Sequence, residues 1–264
     1  LFRDACGYEP CPNSGGVVRW LQQRQGEIGA LLDPDPATVA RRVLDFSISS
    51  LEAGTPQICS NPQTFSRHVR GLMREHDAAV GVGCYDEVRA FYTSAVFEGA
   101  GVDGPEWRTV HLGLDLFVEA GTRVLAPLDG VVHSIADNAG LLDYGPTVIL
   151  EHRADGRRQA EPARQAEPAR QAEPARQAEP GSQADSEGPT FYTLYGHLSR
   201  ESLLALREGQ RIAKGVCLAH IGTVFENGGW PPHLHFQIVS DLLDCRGDFP
   251  GVARPSERRV WLSL

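Results

Sequence analysis

The sequence predicts a mainly β fold, a compact antiparallel sheet or sandwich preceded by a helical N-terminal region. Three observations carry that expectation. Between residues 108 and 240 apolar side chains recur with a period of two in a series of short segments. Glycine-rich turns separate those segments. Upstream of about residue 80 the apolar spacing is helical instead. The resulting expectation is a helical region over 1–79, a β domain over 80–245 and a C-terminal extension over 246–264.

Residues 14–55 read as helical: Asp35-Pro36 offers an N-cap and a first-turn proline, and Val39, Val43, Phe46 and Ser50 follow at helical spacing. Gly54 and Pro56 end that pattern. A second helix is expected through Phe65, Val69, Leu72 and Met73. "AVGVGCY" and "VRAFYTSAVF" then read as strands, and "RTVHLGLDLFV" alternates, with Leu112, Leu114 and Leu116 on one face and His111, Gly113 and Asp115 on the other. "GTRVLAPLDGVVHSI", "PTVILEH", "TFYTLYGHL", "GQRIAKGVCLAHIG" and "HLHFQIV" continue the rhythm, and the terminal "RRVWLSL" is strand-like. Residues 158–180 break it with repeats of RQAEPA. A proline in every repeat blocks sustained helix and the lack of large apolar residues blocks a core, so 154–189 is expected to be a disordered surface insertion between two strands.

Composition narrows the partners. A net charge of −9 gives no general attraction to nucleic acid or anionic membrane, and no run of ~18 apolar residues predicts a membrane span. The opening "LFRDACGYEPCP" shows neither a basic nor an apolar leader segment, so a cytoplasmic protein is expected, open to flanking domains in a longer parent chain. Cys6, Cys11, Cys59, Cys84, Cys217 and Cys245 are scattered without C-x-x-C spacing and read as reduced thiols.

The chemistry concentrates in five residues. In "PPHLHFQIVSD", His233 and His235 leave one face of a strand, and in "HLGLD" so do His111 and Asp115. Two imidazoles and a carboxylate with a fourth position open make a catalytic zinc site. His111, Asp115 and one of the C-terminal pair suffice as ligands, leaving an imidazole free for proton transfer. His197 follows another alternating segment, "TFYTLYGHL". His68, His76, His133, His152 and His220 match no motif and are expected to be exposed or locally hydrogen-bonded.

The order H-x-x-x-D, Y-x-H-L-S, P-H-L-H-F resembles the lysostaphin-type (LytM-like) zinc metallopeptidases over about 105–240, together with the turn phrases "EAGTRVLAPLDGVV" and "REGQRIAKG". The resemblance implies a central antiparallel sheet, a Zn2+ cofactor and endopeptidase activity on a peptide or peptidoglycan-like substrate, including glycine-containing peptides. It implies His111, Asp115 and His235 as zinc ligands, His233 as general base toward the attacking water, and His197 as the group that binds or polarises the scissile carbonyl oxygen. Trp230 and two prolines before the pair depart from the family's small polar run and would reshape the substrate groove.

Across the whole chain, "GYEPCP", "EWRTVHLGLDLFVEAGT" and "RVWLSL" resemble the middle segment of fusion proteins that join a kinase-like, a lysostaphin-like and a class III aminotransferase domain. That context supplies the alternative of a non-catalytic scaffolding or regulatory module. A lipoyl- or biotinyl-type carrier would need a modifiable lysine at a hairpin tip. The sole lysine, Lys214, lies in a turn phrase that is structural in both families.

Overall fold

The alternating segments pair into one large sheet. The structure is a computed structural model that describes residues 14–101, 103–154 and 188–264. In chain order these form α1 (Ser14–Gln23), β1 (Leu32–Asp33), β2 (Arg41–Leu44), α2 (Pro56–Cys59), α3 (Pro62–Arg74), β3 (Val80–Gly83) and β4 (Glu87–Val88). There follow β5 (Glu98–Ala100), β6 (Pro105–Trp107), β7 (Val110–His111), β8 (Leu114–Phe117), β9 (Arg123–Leu125), β10 (Gly130–Asn138), β11 (Gly145–Arg153) and β12 (Thr190–Gly196). Helix α4 (Arg200–Leu204), β13 (Arg211–Ile212), β14 (Cys217–His220), β15 (His233–Val239), β16 (Val252–Ala253) and α5 (Arg258–Trp261) complete the order.

The main sheet has eight strands in the order β13-β10-β11-β12-β15-β8-β3-β2, antiparallel except where β2 runs parallel to β3. A three-stranded sheet, β1-β9-β14, closes one side. Between the two sit Leu32, Val124 and Leu218 from the small sheet and Val148, Leu150, Tyr195 and Leu234 from the large one. Ile149 and Leu194 alternate to the opposite face and meet Val239, Leu242 and Phe249 there. Both faces of β11 and β12 are thus buried, which is why "TVIL" and "TLY" read as nearly continuous apolar runs. The expected mainly β antiparallel fold is the observed one. Tyr195 belongs to this core, its hydroxyl taking the Thr193 hydroxyl as donor at 3.0 Å.

Helix α3 forms where expected. Asn61 caps it by accepting the Thr64 N–H at 3.0 Å, Pro62 occupies the first turn, and Phe65, Val69 and Met73 turn inward against Leu44, Phe46 and Phe117. Other local readings do not survive. Residues 35–50 are not a helix: Asp35 closes a single turn through Ala37 N–H and Thr38 N–H, and the chain then extends into β2. Leu44 and Phe46 are fully buried while Val43 is exposed, a period of two that the spacing of Val39, Val43 and Phe46 concealed. "VRAFYTSAVF" is a strand only at its first residue, because Arg89 and Tyr92 turn into the interior beyond it. "RRVWLSL" starts with the short helix α5.

Strands β11 and β12 pair as far as Arg153 and Thr190, and the Ala154 N–H donates to the Pro189 carbonyl at 2.8 Å. The expected insertion therefore leaves and re-enters at neighbouring backbone positions, while residues 155–187 lie outside the described residues, as do Cys6 and Cys11. Cys59, Cys84, Cys217 and Cys245 are free thiols. Lys214 sits between β13 and β14, which belong to different sheets, and its ammonium donates to the Glu27 carbonyl at 2.7 Å. Among the described residues no helix is long and apolar enough to cross a membrane.

Because the strand pair closes before the repeat begins, and loop length costs little free energy, replacing residues 157–185 with a short Gly/Ser turn is expected to leave the melting temperature nearly unchanged. A calorimetric scan of the shortened chain checks this; a large drop shows that the repeat packs against the sheet.

Candidate metal centre

Strand β15 lies between β12 and β8, so three strands deliver residues to one level of the sheet. His235 stands opposite Asp115 on β8 and Gly196 on β12, and Asp115 stands opposite Gly83 on β3. His111 arrives from a different sheet, β16-β7-β4. The sequence "RTVHLGLDLFV" is therefore two strands rather than one, broken at Gly113. A Cβ at Gly113 would fall 2.4 Å from the His235 ring, so only glycine lets that imidazole enter between His111 and Asp115. The two residues still converge, but from two strands of different sheets rather than from one face of a single strand.

His111, Asp115 and His235 form a group able to hold a metal ion. His111 Nε2 and His235 Nδ1 are 3.1 Å apart, His235 Nδ1 and Asp115 Oδ1 3.1 Å, and His111 Nε2 and Asp115 Oδ1 3.2 Å. Ligands at zinc bond lengths of about 2.0–2.1 Å around a tetrahedral centre lie about 3.3–3.4 Å apart, so the three atoms are spaced as donors to one ion. His233 Nε2 lies 3.5 Å from the same carboxylate oxygen, and the His197 ring is 4.2 Å from the His233 ring, centroid to centroid. All five residues are at most 4% exposed.

Proton inventory decides what such a cluster can be. Tautomers follow from the partners of the outer nitrogens. His111 Nδ1 donates to the Cys84 carbonyl at 2.9 Å, His233 Nδ1 to the Pro231 carbonyl at 2.6 Å, and His197 Nδ1 to the Asn227 carbonyl at 2.9 Å. His235 Nε2 faces Gln237 Oε1 at 3.1 Å. That amide is oriented by its own donation to the Pro250 carbonyl and by the Tyr144 hydroxyl, which donates to Oε1 at 3.0 Å. Each neutral imidazole has then spent its proton outward. Three lone pairs, on His111 Nε2, His235 Nδ1 and Asp115 Oδ1, point at one another with no hydrogen between them, an arrangement that a cation resolves.

The protonation equilibria agree. Burial, reinforced by the nearby Arg89 charge, pulls His111 down to about 4. Burial likewise holds His197 well below the ordinary imidazole value and lowers His233. Burial alone would raise Asp115, but the Arg89 guanidinium bonded to it holds its carboxyl well below the usual range. The shifts of His111, His197 and His233 all favour the neutral imidazole, the form that can act as a ligand or a base.

A cavity of about 500 Å3 opens over this group, walled by Phe91, Tyr92, Phe97, Trp230 and Phe249, with Arg108, Asp143 and Asp248 among its polar residues. His197 reaches it from a backbone φ of +63°, in the left-handed region, held by its N–H to the Tyr144 carbonyl and its carbonyl to the Gly222 N–H. Trp230, Pro231 and Pro250 also line the cavity.

Sequence reading missed Gln237, Tyr144, Arg89 and Glu87. Gln237 was findable, since it continues the period-two face of His233 and His235. Tyr144, whose hydroxyl is 3.4 Å from His235 Nε2, and Arg89, bonded to Asp115, reach the site through tertiary structure that local pattern does not encode. Of the five histidines outside the motifs, His152 is not exposed but buried, bonded to the Asp129 carbonyl and the Thr193 hydroxyl. His68 bonds the Glu52 carbonyl and His133 the Ser134 hydroxyl.

No family model matches the chain. No curated protein matches it either. Among solved structures it is similar to a zinc-containing peptidase from Vibrio cholerae, at 20% identity and a TM-score of 0.31, over 50% of this chain and 27% of that one. It is also similar to the catalytic domain of the antimicrobial peptidase lysostaphin from Staphylococcus simulans, at 18% identity and a TM-score of 0.31, over 56% of this chain and 77% of that one. The SpoIIIAH–SpoIIQ complex matches at 18% identity and a TM-score of 0.33, over 68% of this chain and 92% of that one. The chain thus spans about a quarter of the Vibrio peptidase.

Two outcomes follow from this geometry. Gly113→Ala must displace the His235 ring or the β7–β8 bend, and overpacking of this kind costs about 1–3 kcal/mol; chemical denaturation measures the loss, which a tolerated methyl would not produce. Acid should destabilise the metal-free chain. An unfolded imidazole titrates near ~6.5, whereas folded His111 titrates at about 4, so across that window the unfolded chain binds protons the folded chain rejects. Stability is complete above the unfolded value and falls as the pH drops through the window. Melting temperatures of metal-free protein from pH 7 to pH 4 should decline; a flat profile contradicts the buried neutral imidazoles.

Proposed function

We propose that the chain is a zinc-dependent endopeptidase acting on peptides of the glycine-containing or peptidoglycan type. The observation that carries the reading is the set of three mutually facing acceptor atoms at 3.1–3.2 Å on His111, Asp115 and His235, beside two further imidazoles in one cavity. The order of the three histidine motifs supports it from the sequence side. On this reading His111, Asp115 and His235 hold the ion. Bound there, zinc supplies a Lewis acid and makes water acidic enough to attack near pH 7.

The chain's own groups divide the remaining work. His233 is anchored through Nδ1 to the Pro231 carbonyl and stacked on Phe117 at 4.8 Å, which fixes its ring and leaves Nε2 as a base for the attacking water. His197 presents Nε2 unprotonated, because Nδ1–H is committed to Asn227. It can stabilise charge on the scissile carbonyl oxygen only after gaining a proton, so the proton removed from water and the charge on the substrate are coupled through this histidine pair. The aromatic walls exclude water and leave an extended peptide room to lie across the centre.

Asp115→Ala should lose most of the zinc that the parent chain takes up, read by elemental analysis; undiminished occupancy removes the ligand assignment. His233→Ala and His197→Ala should keep the metal and lose hydrolysis by roughly 10²–10⁴-fold, the usual contribution of an acid–base group. Rates are measured on a panel of glycine-containing peptides and peptidoglycan. Zinc loss in the His233 variant would exchange its role with that of His235. A zinc-loaded parent chain that cleaves no member of the panel favours the non-catalytic scaffolding reading.

A further inference from the structure

We infer that Arg89 is a positioning residue for the metal centre: its guanidinium caps Oδ2 of Asp115 so that Oδ1 alone is presented to the ion. The inference rests on the metal-centre reading above and adds to it a residue upstream of the stretch that carries the motifs.

Arg89 follows β4, in a segment that the sequence left without a role. It is 2% exposed, a burial that a charged side chain tolerates only with full compensation. Every nitrogen of its head group is occupied. Nη1 donates to Asp115 Oδ2 at 2.6 Å and to the Tyr92 hydroxyl at 3.2 Å. Nε donates to Glu87 Oε2 at 2.7 Å, and Nη2 to the Cys84 carbonyl at 3.4 Å. Glu87 is held in turn, accepting the Phe46 N–H on Oε1 at 3.0 Å.

Two features turn this from a buried ion pair into a device aimed at the site. First, the division of Asp115 is clean: Oδ2 goes to Arg89, and Oδ1 faces His111, His235 and His233. A carboxylate with one oxygen capped cannot rotate to offer both. Second, the Cys84 carbonyl that receives Arg89 also receives His111 Nδ1–H, so one guanidinium braces two of the three candidate ligands. The fold keeps room for it: a Cβ at Gly83, opposite Asp115 in the sheet, would fall 2.8 Å from Arg89 Nη2. Phe46 and Phe91 flank the guanidinium, each ring centroid 5.8 Å from its central carbon.

A merely structural arginine and a positioning one differ in what their loss does to bound metal. Partners that orient a metal ligand are typically worth 10- to 100-fold in metal affinity. The test uses the full chain, stripped and reloaded, with Zn2+ affinity read by competition against a chromophoric chelator and the visible absorption of the Co2+-loaded protein read alongside. Arg89→Gln should weaken Zn2+ binding about 10- to 100-fold and alter the Co2+ bands, because Asp115 is freed to offer its second oxygen. Arg89→Lys keeps the charge and is the milder change for folding, but one ammonium cannot span Asp115, Glu87 and Cys84 together. It should therefore also bind more weakly, by a smaller factor. Parent-like affinity and parent-like Co2+ bands in whichever of the two variants folds overturn the role of Arg89. A parent chain that takes up no zinc overturns the metal-centre reading itself, so the two failures are told apart.

Discussion

The arrangement that the rest of the structure depends on is the meeting of His111 Nε2, His235 Nδ1 and Asp115 Oδ1, three acceptor atoms brought within 3.2 Å of one another in a buried place. Left to themselves, groups of this kind separate or take up protons. Here separation is blocked by the sheet, since Asp115 and His235 are paired residues of adjacent antiparallel strands. Protonation of His111 is opposed by burial, and the Cys84 carbonyl and the Gln237 amide oxygen orient the His111 and His235 rings with their protons outward.

The fold explains how so few residues enforce this. The ladder β12-β15-β8-β3 fixes His235 and Asp115 in register, and glycines at positions 83, 113 and 196 give up side-chain volume around them. His111 belongs to a separate small sheet with β16, so the site also clamps two sheets together. A metal held by this group would therefore link its binding to the docking of the sheets, since a ligand that binds the folded arrangement alone stabilises it by mass action. The segment around residues 249–253 takes part in that linkage, because the Pro250 carbonyl accepts the hydrogen bond that orients Gln237.

Period-two alternation made the β strands from β8 to β15 legible, and with them the face on which His233 and His235 lie. It also brought His111 and Asp115 together for a reason that was half right: both point to one place, but across a break at Gly113 that alternation alone cannot reveal. The N-terminal strand β2 was hidden because Val39, Val43 and Phe46 fit a helical period by chance. Burial against Met73 and Phe117, a tertiary fact, selects Leu44 and Phe46 instead. Arg89 and Glu87 were illegible for a related reason. An E-x-R triplet is common surface chemistry until folding places it opposite a buried carboxylate.

Charge accounting ties these parts together. In the buried ion-pair chain, Asp115 and Glu87 each bring one negative charge and Arg89 one positive, while burial favours the neutral forms of His111, His197 and His233. The ionised set is net −1 in a place almost without solvent, and isolated buried charge is expensive. A divalent cation held by His111, Asp115 and His235 would bring the sum of this set to +1. On the proposed peptidase reading, that residual charge would favour a peptide carbonyl becoming an oxyanion, because the wall of Phe91, Tyr92, Phe97 and Trp230 would leave it poorly screened. Without Glu87 the same site would carry +2 and hold its cation against greater repulsion. Without Arg89 it would sum to zero and polarise less. The Glu87–Arg89–Asp115 chain therefore sets the sign and size of the field at the centre as well as the direction in which Asp115 points.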